Sequence, residues 1–323
     1  MLDRFEAHLQ ACIRRYRGSR EIADMLLYHF GYGGYGPARR GKRLRPSLVM
    51  RVALAEGGDL DGALGPAAAI EILHNYSLVH DDVEDCDPLR HGRQTLWSRN
   101  GVASAVNVGD ALCALSVLAL TEAAAQHPSG RVLRMIGVLH GAHLVMCDGQ
   151  SLDLSFERSP HVTLEQYDRM IAAKTAALFG AACELGALCA SCDDAAAERY
   201  RKLGRAYGMA FQIRDDVLGI WASSDATGKV VGNDIARRKW TFPVAWALQT
   251  ASSPERERIA AAYASLETLD EPAVTAVIAA LDAVGAREAA ERALAEHLAV
   301  VRHHPVAGVR DFLLGTLNAL PSS

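Results

Sequence analysis

The octet Leu78-Val79-His80-Asp81-Asp82-Val83-Glu84-Asp85 closes an apolar helical run that begins at Ala67, and it puts four carboxylates into five residues. On a helix Asp81 and Asp85 share a face, with Asp82 about 100° round from them. Like charges at that spacing repel, so such a face is stable only when it is solvated or when cations sit on it. Hard divalent ions take oxygen ligands, commonly one or two carboxylates together with phosphate oxygens. A second pair, Asp215-Asp216, follows Phe211-Gln212-Ile213-Arg214 at the end of another apolar run. Either pair alone reads equally well as a solvated helix end. Two of them, each closing a hydrophobic helix, suggest a metal site built between facing helices.

Composition excludes several alternatives. The chain has 323 residues, 50% hydrophobic and 22% charged, enough for a substantial core. A net charge of −4 and a pI near 6.3 give no overall basic bias toward nucleic acid. The N-terminal segment Met1-Leu2-Asp3-Arg4-Phe5-Glu6 is amphipathic and lacks the apolar core of a signal peptide. The most apolar long run, Val102 to Ala125, contains Asn107, Asp110 and Glu122, which fits a buried helix better than a membrane span. The seven cysteines are odd in number and lie mostly in apolar patterns, so they read as reduced thiols of a cytoplasmic protein. Cys189-Ala190-Ser191-Cys192 is one CxxC without a second pair, and His140 and His143 have no evident third ligand, so both read as structural.

Strand signals are nearly absent, and apolar residues recur at helical spacing almost throughout. Helices are expected at 2–17, 20–30, 42–56, 62–86, 102–126, 130–153, 163–190, 194–221, 239–251, 254–265, 271–300 and 306–319. Breaks fall at Gly31 to Pro37, Gly57-Gly58-Asp59, His127-Pro128-Ser129-Gly130 and Ser252-Ser253-Pro254. Thr163-Leu164-Glu165-Gln166 has the form of a capping box. No repeat or linker splits the chain, so residues 1–323 are expected to form one all-α domain.

Basic residues are interspersed with the acidic ones. Arg39-Arg40-Gly41-Lys42-Arg43-Leu44-Arg45-Pro46 places five cations between a glycine-rich loop and a helix start, a setting that suits phosphate. Without interleaved aromatics it is a poor nucleic-acid site. Arg90-His91-Gly92-Arg93 follows the first acidic stretch. Lys174-Thr175 interrupts the run Ile171 to Cys183, and a buried lysine there needs a partner. A loop from Asp225 to Asp234, then Arg237-Arg238-Lys239, follows the second acidic pair.

This order of motifs, from Gly41 to Pro243, resembles the trans-isoprenyl diphosphate synthases, the all-helical class I prenyltransferases. The resemblance implies a single helical bundle of the isoprenoid synthase type around a central cavity, acting as a cytoplasmic homodimer. Gly41-Lys42-Arg43-Leu44-Arg45-Pro46 looks like the family's GKRLRP element, which implies that Lys42 and Arg45, with His74, bind isopentenyl diphosphate. Asp81-Asp82-Val83-Glu84-Asp85 looks like the first DDxxD motif, with Asp81 and Asp85 carrying most of the Mg²⁺ ligation. Asp215 and Asp216 match the start of the second motif, and the family implies three ions with substrate bound. Arg90 matches the arginine that holds the allylic diphosphate. Gln150, Asp153, Lys174, Thr175, Gln212, Lys229 and Lys239 fall on positions that line the tail channel or grip that diphosphate. The implied partners are therefore the two diphosphates, with no nucleic acid and no membrane segment.

Three departures stand out. His91 replaces the second arginine of the usual pair, a weaker and pH-dependent cation toward isopentenyl diphosphate. Gln94 replaces a usual proline, and Gly219 stands where a third aspartate is common, with Asp234 available to compensate through metal-bound water. The implied chemistry is ionisation of an allylic diphosphate, attack by the double bond of isopentenyl diphosphate, and loss of a proton, with closure of the Asp225–Asp234 loop over the site. Two rivals are a class I terpene cyclase, disfavoured by Lys42, Arg45 and His74, and a non-catalytic partner subunit, which could lose its aspartates without penalty. In the family a bulky aromatic five residues before the first aspartate floors the tail cavity. Tyr76 holds that place, with Ser77 more directly beneath Asp81, so a short product is expected, farnesyl or geranylgeranyl diphosphate, the longer slightly favoured.

Overall fold

Alanine, leucine, glutamate and arginine at helical spacing produce helices through nearly all of the described chain. The structure, a computed structural model, describes residues 1–34, 41–222, 232–250, 254–264 and 268–318; Arg39, Arg40, Lys229 and most of the Asp225–Asp234 loop lie outside them. The Cα positions group into two compact units. One comprises Met1–Gly141 with Ala181–Tyr200, the other Ala142–Gly180 with Arg201–Ser323.

In the first unit the central element is α4 (Leu60–Glu84). Asp59 caps it, its side chain accepting from the Gly62 amide at 2.6 Å. Ala63, Ala67, Ala68, Ile70, Ile72 and Leu73 are all buried, so α4 is apolar on every side, the pattern of a helix enclosed by others. Around it pack α1 (Leu2–Arg14), α3 (Leu44–Ala55) and α6 (Val102–Glu122). Burial of each such Ile or Leu contributes about 1.5–3 kcal/mol. The apolar run that ends in the acidic octet is therefore the hub of this unit, which fixes the position of the carboxylates. On α6, Val102, Val106 and Leu118 are exposed, as are Asn107, Asp110 and Glu122.

The second unit has its own core. Tyr167, Ile213, Ile220, Val244, Leu248, Ile259, Tyr263, Val277 and Leu281 are among its buried members. The expected capping box at Thr163 is present, with Thr163 and Gln166 bonding reciprocally at the start of α8 (Leu164–Ile171).

Four departures from the expected helices have local causes. Arg90-His91-Gly92-Arg93 makes a small hairpin between strands Leu89–Arg90 and Arg93–Gln94, turned by His91 and Gly92, both at positive φ. The expected helix 163–190 widens into a π turn at Ala172–Ala176 before continuing as α9 (Ala177–Cys189). The expected helix 271–300 is two, Glu271–Ala283 and Ala286–Arg302, divided by Gly285 in the left-handed conformation. The expected helix 239–251 is reduced to Phe242–Thr250, preceded by a single turn, Asn233–Ala236. All seven cysteines are free thiols, as expected. His140 differs from its reading as one of a bare histidine pair: Cys113 has its sulfur within 4.8 Å of a ring nitrogen.

Candidate active site

In the first unit the polar groups converge on one stripe of α4. His74, Asp81 and Asp85 are separated by seven and four residues, so an advance of 100° per residue keeps them within about 40° of one another. From His74 to Asp81 is about 10 Å along the axis. Arg45, in the first turn of α3, donates from Nη1 to His74 Nε2 at 3.1 Å. Burial, with Arg45 and Arg90 nearby, holds the His74 imidazole well below its usual pKa, so it is a neutral acceptor that steers the guanidinium. Lys42 is exposed two residues before α3, whose first turn has no side-chain cap.

The two aspartates of the first pair have different surroundings. Asp81 and Asp85 are half-buried, whereas Asp82 is buried and accepts from Arg90 Nε at 2.7 Å. Burial pushes the Asp82 carboxyl up to about 6 against the opposing pull of Arg90. A 100° rotation from Asp81 carries it into the protein, where it holds Arg90. His91 is exposed at the tip of the hairpin. Arg93 does not join it outward: its Nη2 donates to Tyr28 O at 3.1 Å, and its guanidinium lies 4.4 Å from the Tyr28 ring centre.

Tyr76 is half-buried on the side of α4 that faces α6, its ring 4.6 Å from that of His80. His80 Nε2 lies 3.3 Å from Val106 O of α6. Ser77 Oγ donates to His74 O at 2.8 Å.

In the second unit the π turn presents Lys174 and Thr175. Lys174 Nζ donates to Asp153 Oδ2 at 2.6 Å, the partner that a lysine in an apolar run requires. A side chain on Gly149 would overlap the Lys174 amide, so glycine permits the approach of this part of the helix Ser129–Phe156. Thr175 Oγ1 donates to Gln212 Oε1 at 2.8 Å, and Gln212 Nε2 donates to Asp216 Oδ1 at 2.9 Å. Asp216 Oδ2 also accepts from the Tyr167 hydroxyl and from the Phe242 amide, the latter at 2.9 Å.

Asp216 lies at the centre of these bonds. It is buried with three donors around it, and burial pushes its carboxyl up to about 7 despite those bonds. Asp215, its neighbour on the helix Asp194–Trp221, is exposed. A side chain on Gly219 would overlap the Asp234 carboxylate, so Asp234 occupies the place that a third aspartate of the motif would take. Lys239 is half-buried at the loop before Phe242.

Sequence reading missed Tyr167, which carries no motif, and the inward role of Arg43. A signal for the latter was present: Glu71 interrupts an apolar run, and a buried carboxylate needs a cation.

Comparison with known proteins bears on these groups together. Residues 33–281 match the polyprenyl synthetase family model. A geranylgeranyl diphosphate synthase from Mycobacterium tuberculosis is 40% identical over 281 residues, 86% of this chain and 79% of that protein. A short chain isoprenyl diphosphate synthase from Methanothermobacter thermautotrophicus is 36% identical over 262 residues, 81% of this chain and 79% of its own length. The crystal structure of a polyprenyl synthetase from Streptomyces coelicolor A3(2) superposes with a TM-score of 0.87 at 29% identity, covering 99% of this chain and 98% of that one.

Proposed function

Because this chain belongs to the polyprenyl synthetase family, we propose that it is a short-chain trans-prenyltransferase, condensing an allylic diphosphate with isopentenyl diphosphate, and that the whole chain acts as one catalytic domain. The observation that carries this reading is the single stripe of α4. It sets a cation and imidazole pair, Arg45 with His74, about 10 Å from a carboxylate pair, Asp81 with Asp85. Two diphosphates would lie side by side along that stripe, one held by cations and one through metal. A cyclase, with one diphosphate to bind, has no use for the first.

Asp81, Asp85 and Asp215 are the proposed Mg²⁺ ligands. The donor set fits: these carboxylates are partly or fully exposed, and the α4 pair is spaced one helical turn apart. When bound, magnesium supplies charge neutralisation to the departing diphosphate. Asp82 and Asp216 support the site from within, the first by holding Arg90 and the second by holding Gln212.

The residues of the chain then have distinct tasks. Arg90, Lys174, Lys229 and Lys239 stabilise the negative charge that develops as the allylic C–O bond breaks. Thr175 and Gln212 turn hydroxyl and amide dipoles toward the cation. Lys42, Arg45 and His74 orient isopentenyl diphosphate so that its double bond attacks, with His91 as a weaker contact. The proton lost afterwards goes to the released pyrophosphate. Tyr76 closes the tail cavity, and the product is geranylgeranyl or farnesyl diphosphate. A second copy of the chain covers the exposed Val102, Val106 and Leu118 face of α6, giving a homodimer in the cytoplasm.

Purified protein, Mg²⁺, isopentenyl diphosphate and each short allylic primer test the reading, with products identified by mass spectrometry and the oligomer by light scattering. Elongated linear diphosphates formed only with both substrates are expected. Cyclised hydrocarbon from the allylic substrate alone contradicts the assignment.

A further inference from the structure

Lys42, Arg43 and Arg45 form one basic cluster in the sequence, yet the structure separates them. Lys42 is exposed and Arg45 reaches His74, while the Arg43 side chain is only 9% exposed and turns into the protein. Its Nε donates to Glu6 Oε1 at 2.8 Å and its Nη1 to Glu71 Oε1 at 2.5 Å. Glu6 comes from α1 and Glu71 from the middle of α4, so one guanidinium ties α1 to α4 at the entrance to α3.

The surrounding polar groups are satisfied as well. Tyr32 donates its hydroxyl to Glu6 Oε2 at 3.1 Å. Asn75 Nδ2 donates to Glu71 O at 2.8 Å and to Glu71 Oε1 at 3.3 Å. His29 Nε2 donates to Asn75 Oδ1 at 3.0 Å. Burial pushes the His29 imidazole down to about 4, so Arg43 is the cation that hydrogen-bonds both carboxylates. A charge pair this enclosed keeps its place because either partner alone is costly.

The backbone shows what the clamp holds. Arg43 sits at φ 49°, ψ 39°, the left-handed region, in the residue that caps α3. A side chain with a Cβ is strained there, and such strain persists where surrounding contacts over-determine it. Both neighbours depend on that turn: Lys42 lies just before it and Arg45 two residues after. With the Arg43 head fixed inside, the chain must leave it in one direction on each side.

We propose that Arg43 is a positioning residue, clamped by Glu6 and Glu71, whose left-handed turn presents Lys42 and Arg45 to isopentenyl diphosphate. The N-terminal helix α1 is then part of that substrate's site although none of its residues touches the substrate. The inference rests on the prenyltransferase reading. It adds that the middle cation of the motif is structural toward the phosphate and that control of this subsite extends to Glu6.

The test is steady-state kinetics and isothermal titration on the full-length protein, wild type against Glu6→Gln and Arg43→Lys. Glu6→Gln keeps the shape of the side chain and removes its charge. The KM and Kd for isopentenyl diphosphate should rise about tenfold, the effect of losing one charge-assisted contact. The allylic KM and kcat should stay within about twofold, because only one subsite is disturbed. Arg43→Lys, which keeps the charge but cannot bridge two carboxylates, should act in the same direction and more strongly. A purely structural role would lower the active fraction and leave both KM values alone. An unchanged isopentenyl diphosphate KM in folded Glu6→Gln protein, or equal changes for both substrates, overturns the inference. Wild type that does not consume isopentenyl diphosphate overturns the functional reading, and the inference with it.

Discussion

The two Asp-Asp pairs of this chain share a sequence and a local geometry but have different inner partners. In each, the 100° step of a helix leaves one carboxylate at the surface, Asp81 or Asp215, and drives the next into the protein. Asp82 meets a guanidinium, Arg90, and burial raises it only to about 6. Asp216 meets a phenol, a backbone amide and a carboxamide, all neutral, and burial raises it to about 7. A doubled aspartate is therefore not two equivalent ligands. The outer member faces outward, and the inner member anchors what surrounds it, Arg90 in one case and Gln212 in the other.

The largest expected effects fall on the outer members. Asp81→Ala and Asp215→Ala should each lower kcat by about a thousandfold, near the upper end for loss of a charge-stabilising group, with helical circular dichroism unchanged. Comparable losses from Asp82→Asn and Asp216→Asn would erase the distinction between outer and inner positions.

The inner members should instead be visible in stability. The folded-state pKa of Asp216 is raised, so the folded protein binds more protons than the unfolded chain between about pH 4 and 7. Its contribution is fully favourable below that window and is lost as pH rises through it. For Asp82 the window closes near pH 6. Thermal melts in EDTA should show stability falling across these ranges, and Asp216→Asn should remove the part between about pH 6 and 7. A melting curve in which Asp216→Asn keeps the wild-type slope there would show that the buried carboxyl does not titrate as its surroundings dictate.

Two smaller effects belong to the α4 side alone. Tyr76→Ala should lengthen the product by one or more five-carbon units, and Ser77→Phe should shorten it, as read by mass spectrometry of extracted products. An unchanged distribution with retained activity places the floor elsewhere. His91→Arg should lower the isopentenyl diphosphate KM several-fold, with little change in the allylic KM. A higher KM gives the hairpin tip another role.

What was legible in the sequence follows from which forces act locally. Helix positions, the capping box at Thr163 and the Lys174 partner came from periodicity, local hydrogen bonding and the cost of a buried charge. The π turn at Ala172–Ala176 was not legible, because its surroundings include another helix, which approaches it closely at Gly149. Nor were the partners of the inner aspartates, Arg90 for Asp82 and Tyr167 and the Phe242 amide for Asp216. Arg43 lay between these extremes. Glu71 in an apolar run announced the need for a cation, but nothing local said that it would come from the middle of a basic motif.

The most direct test of the central claim is product formation from labelled isopentenyl diphosphate by wild type and Asp81→Ala, with and without Mg²⁺ and an allylic primer. A labelled linear prenyl diphosphate is expected only when wild type, metal and both substrates are present together. Labelled product without metal, or at near wild-type rate from Asp81→Ala, would contradict it.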